Sequence, residues 1–309
     1  MTSGRPIRLP FSVKRLAPGA WAAIARDGGD ALCNAGIFDL GHMTVVFDTM
    51  LTPMAGAKLA TAARRLTGRS PDVVVNSHWH GDHIRGNAAF QPAPIASTQR
   101  TRELILTRGR DQWRSDLREM PKELQALDDP GSELSAADRT VFRGWFEGTL
   151  AVPRPFLPLA PNLTFDSALT IFGDRRELRL LSFGGGHSPS DVFAFEPEGR
   201  VACFGDLLSI GYHPSAGDGA PQAWAAMLGR IRRLRIETAV PGHGAVGGES
   251  DIVRIERYLG GLVRRARSAR RSGRSLAELR RLPPPEEFHG WRFPAFYPDN
   301  LERAYQQLN

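Results

Sequence analysis

Short apolar runs and glycine-rich turns alternate along the first part of the chain. Short strands with glycine-rich turns are predicted at residues 20–25 (AWAAIA), 31–41 (ALCNAGIFDLG) and 43–49 (MTVVFDT), and the polar turn 27–30 (DGGD) follows the first. Residues 54–67 (MAGAKLATAARRLT) then have the composition of a helix and stop at Gly68, a common helix-ending residue. The chain is therefore predicted to begin with strands that lead into a helix.

An uninterrupted apolar run, VVV at 73–75, follows this helix and is typical of a strand buried on both faces. Residues 97–150 are mostly helical in pattern, and the proline-rich passage 153–161 comes after them. The later pattern predicts a helix at 222–235 and strands at 176–183, 192–195, 201–204 and 238–240. Strands on both sides of a helical middle indicate a layered α/β domain.

We predict one domain over residues 1–309, because the chemical motifs described below fall on both sides of the helical middle. That middle is predicted as a helical insertion at about 97–160. Residues from about 248 to 309 are predicted as a helical C-terminal extension.

The formal charge of +7 comes from one segment of this extension. Residues 254–281 contain ten arginines against only two acids, Glu256 and Glu278. Apolar residues recur there at helical spacing, which predicts an amphipathic helix with the arginines on its outer face. We interpret this face as solvated surface; a patch for an acidic partner is the alternative, and a nucleic-acid partner is not expected.

The remaining composition is that of an ordinary globular protein. No apolar run approaches the length of about 18 residues that a membrane helix needs, so no membrane association is expected. Residues 1–20 contain basic residues without an apolar core after them, which argues against a signal peptide and favours the cytoplasm. Cys33 and Cys203 lie far apart and do not form a disulfide framework.

Residues 76–87, NSHWHGDHIRGN, place four potential metal ligands within six positions, and they follow the predicted strand at 73–75 directly. These four residues are His78, His80, Asp82 and His83. Imidazole and carboxylate groups at such a spacing are typical of a metal-binding loop.

Three later predicted strands are also followed by a glycine-flanked loop with a ligand-type residue. His187 lies in GGGHSPSD, Asp206 in FGD and His243 in PGHG. Loops at the carboxyl ends of strands converge in α/β sheets, so we expect all seven side chains to meet at one edge.

The types of residue suggest how two metal ions would share these ligands. His78, His80 and His187 supply three neutral nitrogens and leave a fourth position open for water, as catalytic zinc requires. Asp82, His83 and His243 would hold a second ion, and Asp206 would bridge the two. We predict two Zn²⁺ per chain, with iron or manganese as alternatives.

The motifs HWHGDH, GGGHSPSD, FGD and PGHG, in this order, resemble those of the metallo-β-lactamase fold hydrolases, and the resemblance covers roughly residues 20–247. It implies a four-layer αβ/βα sandwich with a dinuclear site at one edge, and the same division of the seven ligands. It also implies that Asp48 braces the metal loop through hydrogen bonds.

The resemblance specifies the superfamily better than the reaction. We expect a hydroxide held by two metal ions to cleave a small carbonyl substrate, which is an ester, thioester, lactone or lactam. Asp82 is predicted to be catalytic, because it would both bind the second ion and orient the hydroxide. A mononuclear-iron oxidoreductase like the persulfide dioxygenases and a metal-dependent phosphodiesterase or nuclease are the alternatives. Cys203 is not expected to bind metal, because its sulfur would face away from Asp206 across the strand.

Several aromatic residues could select a small-molecule substrate. Tyr212 and His213 are the strongest candidates, because they follow Asp206 closely in the segment 209–214. Other candidates are Trp79 in the metal loop and the insertion residues Trp113, Trp145 and Phe146. The aromatic, proline-rich tail at 288–300 is expected to fold back over the body or over a partner subunit, and a homo-oligomer is left open.

Overall fold

The protein is described by a computed structural model that covers residues 9–132 and 134–308. Residues 1–8, which form part of the N-terminal segment used above to predict localisation, lie outside the described residues. Glu133, in the predicted insertion, and Asn309, at the end of the predicted extension, lie outside them too. No helix within the described ranges has both the length and the apolar character needed to cross a bilayer.

The first sheet has seven strands, which lie in the order of the chain. They are β1 (Phe11–Ala17), β2 (Ala20–Ala25), β3 (Ala35–Asp39), β4 (Thr44–Phe47), β5 (Val73–Val75), β6 (Ile95–Thr98) and β7 (Leu163–Phe165). Strands β1 to β4 pair antiparallel, and β4 to β7 pair parallel, with Phe47 opposite Val75. The parallel half brings the carboxyl ends of β4 and β5 to the same edge.

The second sheet has five strands in the order β12-β11-β10-β9-β8. They are β8 (Ala168–Phe172), β9 (Glu177–Leu181), β10 (Phe193–Glu196), β11 (Val201–Cys203) and β12 (Thr238–Val240). Strands β8 to β11 pair antiparallel, whereas β11 and β12 pair parallel. Strands β9, β11 and β12 therefore end at the same edge, and each is followed by one of the predicted ligand loops.

Helices flank both sheets. They are α1 (Pro53–Thr67), α2 (Gly81–Ile84), α3 (Gln99–Leu104), α4 (Arg110–Ala126), α5 (Ala136–Leu150), α6 (Pro221–Ile231), α7 (Glu249–Arg271), α8 (Leu276–Arg280) and α9 (Phe296–Gln306). The sequence explains the bounds of α1 well: the Thr52 side chain accepts from the backbone N–H of Ala55, and Gly68 ends the helix at φ +78°. Helices α3 to α5 lie between β6 and β7 in the chain, where the insertion was predicted.

Three hydrophobic cores separate four layers. Residues of α1 such as Leu59 pack on one face of the first sheet. Side chains of both sheets, including Phe47 and Leu180, fill the space between them. Helices α6, α7 and α9 cover the outer face of the second sheet, where Trp224 and Tyr258 are buried. This is the predicted four-layer αβ/βα architecture, so the fold class is confirmed.

Two details of the sequence prediction are wrong. The arginine-rich segment is not one helix to residue 281, because α7 ends at Arg271 and α8 starts only at Leu276. Gly273 has φ +66°, and the Ser275 side chain caps α8, so the backbone turns between the two helices. Strands β1, β6, β7 and β8 were not predicted; β6 and β7 are short, and β8 has no buried residue.

Candidate metal centre

The seven predicted ligands lie together at one edge of the two sheets. His78, His80, Asp82 and His83 occupy the loop after β5 and the first turn of α2. The other three follow β9, β11 and β12, and they are His187, Asp206 and His243. Their ligand atoms form two groups: His78, His80, His187 and Asp206 in one, and Asp82, His83 and His243 in the other.

Three imidazole nitrogens face one another in the first group. Nδ1 of His80 lies 2.9 Å from Nε2 of His78 and 3.0 Å from Nε2 of His187. Burial, with His80 beside it, lowers the pKa of His187 to about 3, and burial and neighbouring imidazoles also lower that of His78. These rings are therefore neutral near pH 7, and their converging lone pairs could hold a divalent ion.

The second group combines two imidazoles with a carboxylate. Oδ2 of Asp82 lies 3.4 Å from Nε2 of His83 and 3.3 Å from Nε2 of His243. Burial disfavours the charged form of His243, but Asp206 and Asp82 outweigh it and raise its pKa well above the usual value. The two carboxylates thus favour a positive charge at this position, which a metal ion could supply.

Asp206 contacts both groups through different oxygen atoms. Its Oδ2 lies 3.5 Å from Nε2 of His187, whereas its Oδ1 lies 3.2 Å from Nε2 of His83 and 3.3 Å from Nε2 of His243. Nε2 of His83 and Oδ1 of Asp206 are buried and have no hydrogen-bond partner among the described residues. Buried polar atoms without partners are costly, so this donor set fits a pair of metal ions bridged by Asp206.

Residues behind the ligands fix their orientation. Asp48 accepts from the backbone N–H of Ser77 at 2.7 Å through Oδ1, and its Oδ2 lies 2.7 Å from Nδ1 of His83. The Ser77 hydroxyl lies 2.9 Å from Nδ1 of His78. Asp48 is buried and has φ +61°, a conformation that few non-glycine residues adopt and that clusters at functional sites. It braces the metal loop, as the resemblance implied.

The loops that carry His187 and His243 are also held in place. The Asp191 carboxylate accepts from the backbone N–H of Gly186 at 2.7 Å and of Ser188 at 3.1 Å, on either side of His187. A Cβ atom at Gly242 would lie 1.9 Å from Oδ1 of Asp206, so only glycine fits beside the bridging carboxylate.

Two ion pairs that the sequence did not suggest connect the insertion with the ligand loops. Arg85, just after α2, pairs with Asp116 of α4 in a buried position. Asp218 accepts from Nε1 of Trp79 at 2.8 Å, pairs with Arg108 at 3.1 Å and lies 3.8 Å from Nε2 of His80. No local motif marks these pairings, because the partners are distant in the chain.

A cavity of about 640 Å³ opens onto the centre. Trp145, Tyr212 and His213 line it, as the sequence suggested. Trp79, Trp113 and Phe146 are buried in side-chain packing and are not among its lining residues. The sequence missed Phe142 of α5, and the tail at 288–300 folds back over the body, so that Phe293 and Phe296 line the cavity.

Cys203 lies outside the centre, as predicted. A Cβ atom added at Gly36 would lie only 2.5 Å from the Cys203 Sγ. The Cys203 side chain therefore packs between the two sheets. Burial raises the pKa of the Cys203 thiol, which keeps it protonated. Cys33 is buried next to the metal loop, where its Sγ donates to the carbonyl oxygen of Asp82 at 3.0 Å.

The amino-acid sequence of this chain matches a known protein family. The family model of the metallo-beta-lactamase superfamily matches residues 28–243, more than two thirds of the chain. No curated protein sequence matches it.

The fold is similar to that of a metallo-beta-lactamase from Pontibacter korlensis, with a TM-score of 0.59 and 16% identity. That alignment covers 81% of this chain and 99% of the other. It is also similar to that of the DIM-1 metallo-beta-lactamase, with a TM-score of 0.57, 14% identity, and 81% and 97% of the two chains covered. The family match, this fold and the histidine–aspartate centre together show that the protein is an enzyme of the metallo-beta-lactamase superfamily, a family of metallo-hydrolases.

Proposed function

We propose that this enzyme hydrolyses a small carbonyl substrate with two metal ions, most simply zinc, held by the seven residues above. The observation that carries the proposal is the position of Asp206, whose two oxygen atoms face different ligand groups. A carboxylate shared in this way supports two ions held close together. When bound, such a pair of ions makes a bound water ionise near neutral pH. The ions also polarise the carbonyl oxygen of the substrate.

The side chains around that pair of ions have different roles. His78 and His187 are buried and His80 is partly buried, and all three have lowered pKa values, so they bind without first losing a proton. Asp82 lines the cavity and would both hold the second ion and orient the attacking water toward the substrate. Asp48 orients the ring of His83 from behind.

Two features of the protein favour this proposal over the alternatives. A mononuclear iron oxidoreductase needs only one of the ligand groups, whereas both are complete here. A nuclease would need free cations on the arginine-rich helices, but several of these arginines bind the protein itself. Arg265 donates to the Tyr297 hydroxyl at 2.7 Å, and Arg257 pairs with Glu287 at 2.9 Å.

The test has two parts. Elemental analysis of protein purified without added metal, and again after zinc reconstitution, should give two ions per chain. The reconstituted enzyme should then cleave at least one member of a panel of esters, thioesters, lactones and β-lactams. The matched variant Asp206→Ala should lose both the second ion and the activity.

Other outcomes would overturn the proposal. One tightly bound iron with oxygen consumption would indicate the oxidoreductase. Cleavage confined to phosphodiesters would indicate the phosphodiesterase or nuclease alternative. The cytoplasmic location, the small-molecule partner and the open question of a homo-oligomer stay predictions from the sequence.

A further inference from the structure

The cavity has an aromatic wall beyond the metal centre, which we define as Phe142, Trp145, Tyr212, Phe293 and Phe296. Neighbouring rings of the wall contact one another. The centroid of Phe293 lies 5.1 Å from that of Phe142, 5.3 Å from that of Tyr212 and 5.6 Å from that of Phe296. All five residues are partly exposed, and all line the cavity. The wall is therefore an apolar surface that a ligand in the cavity can reach.

Three separate segments build this wall. Phe142 and Trp145 belong to α5 of the insertion, Tyr212 follows the bridging Asp206, and Phe293 and Phe296 belong to the C-terminal extension. The two extension residues lie beyond residues 28–243, the part of the chain that matches the family. The wall is thus formed in part by a segment outside the common catalytic domain.

Arg292 holds the three segments together. Its Nε donates to Asp138 of α5 at 2.9 Å, and its Nη1 atom donates to Asp27 at 2.8 Å and to the Tyr212 hydroxyl at 3.2 Å. The backbone N–H of Arg292 also donates to the carbonyl oxygen of Gly211 at 2.9 Å. Because the side-chain partners Asp138, Asp27 and Tyr212 lie on three different segments, the shape of the wall depends on this one side chain.

The charged groups of the cavity leave little to attract an anionic substituent. Asp116 neutralises Arg85, and Arg26, the other arginine among the lining residues, is exposed to solvent. Asp27 also lines the cavity, but it pairs with Arg292 at 2.8 Å, so neither charge is left uncompensated. Away from the metal centre, a carboxylate on the substrate would therefore leave water for aromatic neighbours and for charged groups that already have partners.

We propose that the aromatic wall binds an apolar group of an uncharged ester or lactone whose carbonyl lies at the metal centre. This inference rests on the proposed function for its chemistry, but the wall itself depends only on the packing described. A cavity of about 640 Å³ is in the usual range for small-molecule sites, and its aromatic lining is typical of apolar ligands. The enzyme would therefore select its substrate by an apolar chain and reject a charged one.

A series of p-nitrophenyl esters from acetate to octanoate tests the proposal on the zinc-loaded enzyme, because the leaving group stays constant. Each added methylene should raise kcat/KM about three- to fourfold until the wall is covered. The hexanoate should exceed the adipate monoester, which has the same length but ends in a carboxylate, by about tenfold or more. A flat series, or a preference for the adipate, would overturn the proposal.

Variants assign the preference to the wall. Trp145→Ala and Phe293→Ala should lower kcat/KM for the octanoate at least about tenfold and change that for the acetate little. Arg292→Gln should flatten the series through KM with kcat nearly unchanged, because Arg292 positions the wall without touching the centre. Phe172→Ala is the matched control, since Phe172 is 69% exposed and lies outside the cavity lining. An equal loss for every ester would assign these residues to the stability of the fold and would contradict the proposal.

Binding measurements separate this proposal from the proposed function. Alkanamides from acetamide to octanamide present the same apolar chains, and calorimetry records their binding without turnover. If no ester is cleaved but affinity still rises with chain length and falls in Trp145→Ala, the hydrolase proposal fails and the apolar wall stands. If esters are cleaved and neither kcat/KM nor amide affinity depends on chain length, the hydrolase proposal stands and the wall fails.

Discussion

His83 and Asp48 form a hydrogen-bonded pair that solvent does not reach, with Nδ1 of the imidazole 2.7 Å from Oδ2 of the carboxylate. The other nitrogen of the same ring faces Asp82 and Asp206. Asp48 therefore determines which nitrogen of His83 is free to bind a metal ion. The pair connects the end of β4 with the loop after β5, so it joins two parallel strands through one side-chain contact.

We expect Asp48→Asn to weaken the second metal ion about 10- to 100-fold, because the amide no longer favours the Nδ1–H form of His83 as strongly. Titration against a competing chelator measures this change. Asp174→Asn is the matched control, since Asp174 makes a similar contact with His42 at 2.6 Å on the exposed surface. Equal metal affinity in both variants would show that Asp48 has no role at the centre.

The two ligand groups should respond differently to mutation. His80→Ala removes a central nitrogen of the first group and should nearly abolish turnover. Asp82→Ala should cause the loss of the second ion. It should also lower the turnover rate about 10²-fold or more, because the reacting water loses its orientation. Metal stoichiometry and turnover measure both effects, and the exposed His42→Ala and His289→Ala are the controls. If Asp82→Ala kept two ions and the full rate, the two-metal mechanism would be wrong.

The buried pair of Arg85 and Asp116 should contribute strongly to stability. Arg85→Met leaves the Asp116 carboxylate buried without its charge partner and should lower the free energy of unfolding by about 3–5 kcal/mol. Arg85→Met with Asp116→Leu should recover more than half of this loss, because both charges are then absent. Urea unfolding measures these differences.

Arg114→Met provides the control for that pair. Arg114 pairs with Asp111 on the exposed face of the same helix, so its loss should cost at most about 1 kcal/mol. A single Arg85→Met variant as stable as this control would contradict a structural role for the buried pair.

As the pH falls, the ion in the second ligand group should dissociate before the ion in the first group. His78 and His187 have lowered pKa values and stay neutral, whereas Asp206 and Asp82 outweigh burial and raise the pKa of His243. A metal ion in the second group must therefore displace a proton, and its affinity should fall by up to about tenfold per pH unit for each proton released as pH decreases. Calorimetry in buffers of different ionisation enthalpy counts these protons. Equal pH dependence of both ions would contradict this assignment.

The arginine-rich segment 254–281 should bind nucleic acid only weakly, with an affinity that moderate salt abolishes. Several of its arginines bind the end of the same C-terminal extension: Arg280 pairs with Asp299 at 2.8 Å, and Arg270 donates to the Tyr305 carbonyl. Fluorescence anisotropy with a duplex and a single strand measures the binding at two salt concentrations. Sub-micromolar, structure-selective RNA binding with cleavage would instead favour the nuclease reading.

The sequence by itself determined the strands that lead to the centre and the residues placed at their ends. The apolar run at 73–75 has the predicted bounds, and the run at 238–240 does too, because turn-forming residues follow each at once: Asn76 and Ser77 the first, Pro241 and Gly242 the second. The spacing of His78, His80, Asp82 and His83 is local, so a short segment shows it. The position of Cys203 followed from strand alternation alone.

Only the tertiary structure decided which residues complete the centre and its cavity. Asp116 and Asp218 each pair with groups far away in the chain, and Arg292 pairs with Asp27, 265 residues before it, and with Asp138, 154 residues before it. Such pairs leave no periodic or spaced pattern, because the positions of whole segments determine them and local composition does not. The aromatic wall has the same origin, since Phe142 and Phe293 meet only when the insertion and the extension pack against each other.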